Sequence, residues 1–190
     1  GNLFAIEPSD DAFYFLNQKK INNVSLIKGK CPDNLKYNKK FDLICLFDVL
    51  EHIKEDKETI SKLLEILKDS GRVFITVPAY QWLWSKHDEN LMHQRRYSKK
   101  SLKLTFKDHN VTEEYFTYFN TFLFPFAVLD RFIKKISSKR ISSTRNLNNK
   151  FPNRVINFIF KKIFVFEKFI LNFFNFYFGL SILLIIKKKN

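Results

Sequence analysis

Residues Phe41–Pro78 constrain the fold more than any other stretch of the chain. Leu43-Ile44-Cys45-Leu46-Phe47 is a short continuous apolar run, the pattern of a strand buried on both faces, with Cys45 as a small core residue. Asp48 and the pair Glu51-His52 follow at its carboxyl end, where open α/β sheets place their ligands. Asp56 is placed to cap a helix in which Ile60, Leu63, Leu64 and Leu67 recur at helical spacing, and Gly71 is placed to end it. Arg72–Val77 is a second apolar run, closed by Pro78. Strand, helix and strand in so short a span predict a βαβ unit and a parallel sheet.

The flanking segments extend the pattern. Leu3–Ile6 reads as a strand ending in Glu7-Pro8-Ser9, and Asp10 or Asp11 opens a helix carrying Ala12, Phe13, Phe15 and Leu16. An acid at the tip of such a strand suits hydrogen bonding to a ribose diol. Val24–Lys28 is a further strand, stopped by Gly29. After Pro78 comes Ala79–Tyr97, AYQWLWSKHDENLMHQRRY, which has neither helical nor strand periodicity. Long unpatterned loops are usually functional or disordered. Tyr80, Trp82, Leu83, Trp84 and Leu91 offer apolar anchors, so a lid or substrate-facing segment over the carboxyl end of the sheet is expected.

Ser98 is an N-cap candidate for a helix reaching about Asp108, Val111–Phe119 reads as a strand, and an apolar helix runs through Phe126, Val128, Leu129, Phe132 and Ile133. Residues 137–150 are basic and rich in Ser and Asn, a flexible loop whose Lys139, Arg140 and Arg145 suit anionic lipid or plain solvent. Residues 151–178 read as an amphipathic, phenylalanine-rich helix with a narrow polar stripe from Arg154 to Asn175. Glu167 lies off that stripe and should pair with a basic group or cap a buried interaction. Gly179–Lys187 reads as a final strand. The uncharged run Phe169–Ile186 reaches the lower limit for a membrane span, although Asn172, Asn175 and Gly179 interrupt it.

The string FDLICLFDVLEHI, the leucine-rich helix and SGRVFITVP resemble the fourth strand, following helix and fifth strand of class I S-adenosylmethionine-dependent methyltransferases, with Ser70-Gly71 in place of the usual Gly-Gly. The loop WLWSKHDENLMHQRRY resembles a signature of one bacterial branch, found beside lipid and cell-surface glycan pathways. The resemblance implies an α/β, Rossmann-like methyltransferase sheet, mostly parallel, with an antiparallel last strand, over a single domain spanning 1–190. It implies S-adenosyl-L-methionine as cofactor, with Glu7 holding the ribose, Asp33 near the adenine, and Asp48 and His52 bordering the cofactor. Lys30 stands where an acid is often found. The glycine-rich loop of such a fold should lie about 20 residues before the acid. Only Gly1–Ile6 precede Glu7, so the first βα unit is expected to be missing.

The chemistry of the loop stays open among several readings. His87 or His93 could accept the proton of a hydroxyl or amine, since imidazole titrates near neutral pH. Asp88, Arg95, Arg96 and Tyr97 could contact the acceptor, the guanidinium forks suiting a phosphate or carboxylate. Alternatively, Asp88 or Glu89 pairs with Arg95 or Arg96 and pins the loop. His87, Asp88 and His93 match no standard ligand spacing, so no metal is expected.

Composition bears on partners. The net charge of +14 suits a polyanion or an anionic membrane surface. Abundant Lys, Asn, Ile and Phe, all with A/T-rich codons, account for the same bias through genome composition, and no RNA-binding signature accompanies it. Two cysteines give no disulfide framework, and no secretory signal opens the chain, in keeping with a cytoplasmic protein at most peripheral to the inner face of the membrane. The expected activity is methyl transfer to a small-molecule, glycan or lipid-linked acceptor. The rivals are a non-catalytic membrane-surface accessory protein on the same scaffold and an RNA methyltransferase.

Overall fold

A computed structural model describes residues 1–19, 21–35, 40–137 and 154–189. The chain opens with β1 (Leu3–Glu7), α1 (Asp10–Gln18) and β2 (Val24–Lys28). Ser9 caps α1 by accepting from the Ala12 amide. Then come β3 (Phe41–Phe47), a 3-10 turn at Leu50–His52, α2 (Asp56–Ile66) and β4 (Leu67–Pro78). Two short turns, Gln81–Leu83 and α3 (Lys86–Asn90), lead to α4 (Lys99–Leu104), β5 (Val111–Phe119), α5 (Phe124–Ser137), α6 (Arg154–Leu171) and β6 (Ser181–Lys188).

Among the described residues the strands form two sheets, a parallel pair β1-β2 and a four-stranded sheet ordered β3-β4-β6-β5. The edge-to-face contact of Phe4 and Phe41, ring centroids 5.4 Å apart, links the two. The βαβ unit is present, with β3 and β4 parallel. β6 runs antiparallel to both β4 and β5, as expected of the last strand. Because it lies between them, the larger sheet is mixed rather than mostly parallel.

The core sits between this sheet and α2. Ile60, Leu63 and Leu64 pack with Val73, Ile75 and Val77 of β4 and with Ile182, Leu184 and Ile186 of β6. The apolar face of α2 therefore does what its spacing predicts.

Several expectations are corrected. α2 stops at Ile66, and the chain turns directly into strand conformation at Leu67. Ser70, not Gly71, takes the left-handed backbone, at φ 62°. Gly71 lies inside β4, where a Cβ would come 2.8 Å from the Leu67 side chain and the Lys68 carbonyl oxygen, so close approach is what requires glycine. Nor does Asp56 cap α2: it is the first helical residue. Among the described residues β3 is covered on one face only, leaving Leu43, Cys45 and Phe47 exposed. α6 ends at Leu171, so residues 172–178 are not helical. In place of a helix, Phe176 bridges to Tyr118. Glu167 is buried and caps a backbone group, its Oε2 accepting from the Phe122 amide at 3.3 Å. The basic segment 138–150 lies outside the described residues. No described helix is long and apolar enough to cross a membrane.

Candidate active site

The carboxyl ends of β3 and β4 open onto a cavity of about 420 Å³. Because β6 is antiparallel, its amino end, Leu180-Ser181, reaches the same edge and forms part of the wall. Asp48, Glu51 and His52 line it from the turn after β3; His87, Leu91, His93 and Arg96 line it from the loop; Asn120 and Arg131 close the far side.

Hydrogen bonds at both ends hold the loop in place. Tyr80 and Tyr97 amides donate to the Tyr97 and Pro78 carbonyls at 2.7 and 2.9 Å, and the Ala79 amide donates to Leu180 at 2.8 Å. Tyr80 stacks on Tyr118 with rings 9° from parallel, and burial, with Tyr118 beside it, pushes its phenol up to about 12. Leu83 is buried, whereas Trp82 and Leu91, expected as anchors, are exposed.

At the centre of the loop is Asp88, fully buried. Desolvation alone would raise its pKa, but Arg96, His93 and the Ser85 amide outweigh it and hold the carboxyl below the usual range. Arg96 Nε donates at 2.6 Å and His93 Nδ1 lies 3.1 Å away, both on Oδ1, while Oδ2 takes the Ser85 amide at 2.9 Å in a capping box for α3. Arg96 also donates to the Ala79 carbonyl at 3.2 Å. This is the pinning arrangement left open by the sequence. Arg95 pairs with Asp56 at 2.7 Å and donates to the Lys54 carbonyl. Tyr97 is buried, and its hydroxyl donates to the same Asp56 carboxylate at 2.9 Å. Asp88, Arg95 and Tyr97 are not on the cavity wall; His87, His93 and Arg96 are.

Asp48 and His52 meet the loop residues at this wall. Asp48 has φ 52° and accepts from the Thr76 hydroxyl at 3.2 Å. His52 and His93 pack edge to face, centroids 4.6 Å apart. Desolvation, with His93 beside it, lowers the His52 pKa. Burial pushes Glu51 up to about 7, Asp48 adding to the shift. Glu7 and Asp33 lie apart from this cavity. Glu7 stands half-buried at the tip of β1, its Oε1 accepting from the Ser9 amide at 2.8 Å. Asp33 is exposed and pairs loosely with Lys30 at 3.6 Å.

Glu51, Asn120 and Arg131 are polar wall residues that the sequence did not single out. Glu51 stood in view only as the neighbour of His52. Arg131 sat in an apolar helical pattern, and only the packing of α5 under the loop, with its Nε donating to the Leu83 carbonyl at 3.3 Å, brings it to the cavity.

Comparison with known proteins fits this architecture. A profile of the methyltransferase domain family matches residues 4–113, from β1 into β5. Among solved structures, the chain aligns over 100% of its length with 84% of a protein from Bacillus halodurans named as a methyltransferase, at TM-score 0.61 and 14% identity. It covers 99% of itself and 70% of a Galdieria sulphuraria protein named as a sarcosine dimethylglycine methyltransferase, at 0.58 and 13%. It covers 100% of itself and 68% of a plantazolicin methyltransferase solved with a triazolic analogue and S-adenosylhomocysteine, at 0.58 and 11%. At these identities the likeness is one of fold. No curated protein matches the sequence. The profile spans more than half of the chain, including the whole βαβ unit and the loop that lines the cavity, and the chain belongs to the methyltransferase domain family.

Proposed function

We propose that the chain transfers a methyl group from S-adenosylmethionine to a small-molecule, glycan or lipid-linked acceptor. The observation that carries this reading is the cavity at the carboxyl ends of β3 and β4, walled by acidic and imidazole groups on one side and by the pinned loop on the other. A half-buried acid at the tip of β1 suits the ribose diol of the cofactor, which supports Glu7 as its holder. Asp33 would lie toward the adenine, and Asp48 and His52 along the cofactor edge. When bound, the cofactor supplies an electrophilic methyl carbon on a sulfonium.

The chain's own contribution is alignment of the reacting groups against the cavity wall. An acceptor held against this wall would receive the methyl group that the cofactor supplies, leaving its own proton to a base of the chain. His87, or His93 oriented by Asp88, takes the acceptor proton. Such a base is typically worth about 10²–10⁴-fold in rate. Arg96 is held tightly by Asp88; Arg131, held more loosely by the Leu83 carbonyl at 3.3 Å and by Asp130 at 3.6 Å, and the amide of Asn120 complement the acceptor's polar groups. Exposed apolar side chains on α5 (Phe126, Leu129, Phe132, Ile133) favour an acceptor held at, or delivered from, an anionic lipid surface.

Calorimetric titration of the full chain with S-adenosylhomocysteine tests the reading. Saturable binding is expected, weakened about tenfold or more in Glu7→Ala through loss of hydrogen bonds to a charged group. Absence of binding overturns the cofactor assignment, and equal affinities overturn the role of Glu7.

A further inference from the structure

We infer that Glu51, His52 and His93 form a binding site for a divalent transition-metal ion of the zinc type, facing the cavity. Each residue offers one donor atom, and the three donors lie within 4.8 Å of one another. Around a tetrahedral ion with bonds of about 2.0–2.1 Å, donors sit roughly 3.4 Å apart. A contraction of at most about 1.4 Å, within reach of side-chain rotation, therefore closes the set.

Glu51 supplies the strongest argument. It is 1% exposed, and its Oε2 has no hydrogen-bond partner among the described residues. A buried carboxylate oxygen left without a partner has lost its hydration and gained nothing in return. An ion beside it removes that cost and supplies the opposite charge that burial demands.

His93 is already oriented as a ligand. The Asp88 carboxylate engages Nδ1 at 3.1 Å, which places the proton there and leaves the Nε2 lone pair for coordination. Carboxylate support of this kind is the usual second layer around a metal-bound histidine. Arg96 balances the charge of Asp88, so the support survives burial. The two halves of the site are tied together by the backbone, since the Gln94 amide donates to the Glu51 carbonyl at 2.7 Å. His52, the third donor, is exposed toward the cavity with its ring at 85° to that of His93.

Two imidazoles and one carboxylate favour zinc or its neighbours over magnesium and calcium, which prefer oxygen alone. Three protein donors leave a coordination position open toward the cavity, where an oxygen or nitrogen of a small molecule can bind. The site does not depend on the methyl-transfer reading. If both hold, His93 acts through the ion and His87 is left to take the acceptor proton.

The test uses the full chain treated with chelator and dialysed. Zn²⁺ is titrated by calorimetry and Co²⁺ by its visible absorption, with Mg²⁺ as a contrasting probe. One ion per chain is expected for Zn²⁺ and Co²⁺, with Mg²⁺ failing to compete. His52→Ala, an exposed position where folding is not at stake, should weaken binding about tenfold or more, as should Glu51→Gln if circular dichroism shows it folded. His109→Gln, which alters a histidine bonded to Ser61 away from the cavity, should bind as wild type does. No saturable Zn²⁺ or Co²⁺ binding by the folded wild type overturns the inference. So does equal affinity in His52→Ala.

Discussion

Tyr97 shows how burial separates a structural role from a chemical one. Its hydroxyl and the Arg95 guanidinium converge on one Asp56 carboxylate at the start of α2, stitching the end of the loop to the βαβ unit. Burial, with Asp56 beside it, raises the phenol well above its ordinary range, so Tyr97 stays neutral and acts as a donor. Tyr97→Phe is expected to lower stability by about 1 kcal/mol in denaturant melts, the net worth of one hydrogen bond. Cofactor affinity should be unchanged. A variant of wild-type stability with impaired ligand binding would instead place Tyr97 in the site. The chemistry-bearing residue types of the loop were legible in the sequence, but their partners were not. Asp88, His93 and Arg96 meet only because α3 turns the chain back on itself, and a list of residues cannot say which histidine nitrogen a carboxylate will claim.

Among the elements, those carried by continuous apolar pattern were read closely: β1, β2 and β5 fall where their sequences put them. The misreadings share a cause. Gly71 looked like a helix stop because glycine serves left-handed turns, yet here it serves close packing against Leu67. α6 looked longer because Asn172 and Asn175 continue a helical spacing, whereas the chain leaves the helix so that Phe176 can pair with Tyr118. Gly179 marks the way into β6, and a Cβ there would run into the Phe119 carbonyl oxygen. The three nearest atoms are all Phe119 backbone, so no flexible side chain is there to yield. Gly179→Ala should therefore cost about 1–3 kcal/mol, as overpacking does, measured by thermal or chemical unfolding. An unchanged melting curve would show that β5 and β6 can part at this point without loss.

At the scale of the whole molecule, apolar surface is distributed unevenly. Phe158, Val165 and Phe169 of α6 are exposed, as are the α5 residues Phe126, Leu129, Phe132 and Ile133, with Lys161, Lys162 and Lys168 beside them on α6. Aromatic surface flanked by lysines suits the boundary of an anionic bilayer. The full chain should float with phosphatidylglycerol-containing vesicles at low salt and less at high salt, as screening weakens the attraction. No flotation at low salt would remove the membrane from the account. β3 belongs to the same unevenness: its apolar run announces burial on two faces, and among the described residues only one is covered.

The place of β6 between β4 and β5 has a consequence for how the protein is made. β4 is synthesised some hundred residues before the strand that joins it to β5. Until Ser181–Lys188 leave the ribosome, both neighbours present open edges and the cavity lacks one wall. Pairing across so long a separation is slow, because loop closure must precede the contacts that reward it. The nascent chain thus carries β3 and β4 ready to pair but no finished pocket, and β4 keeps an edge open for the wrong partner until β6 arrives.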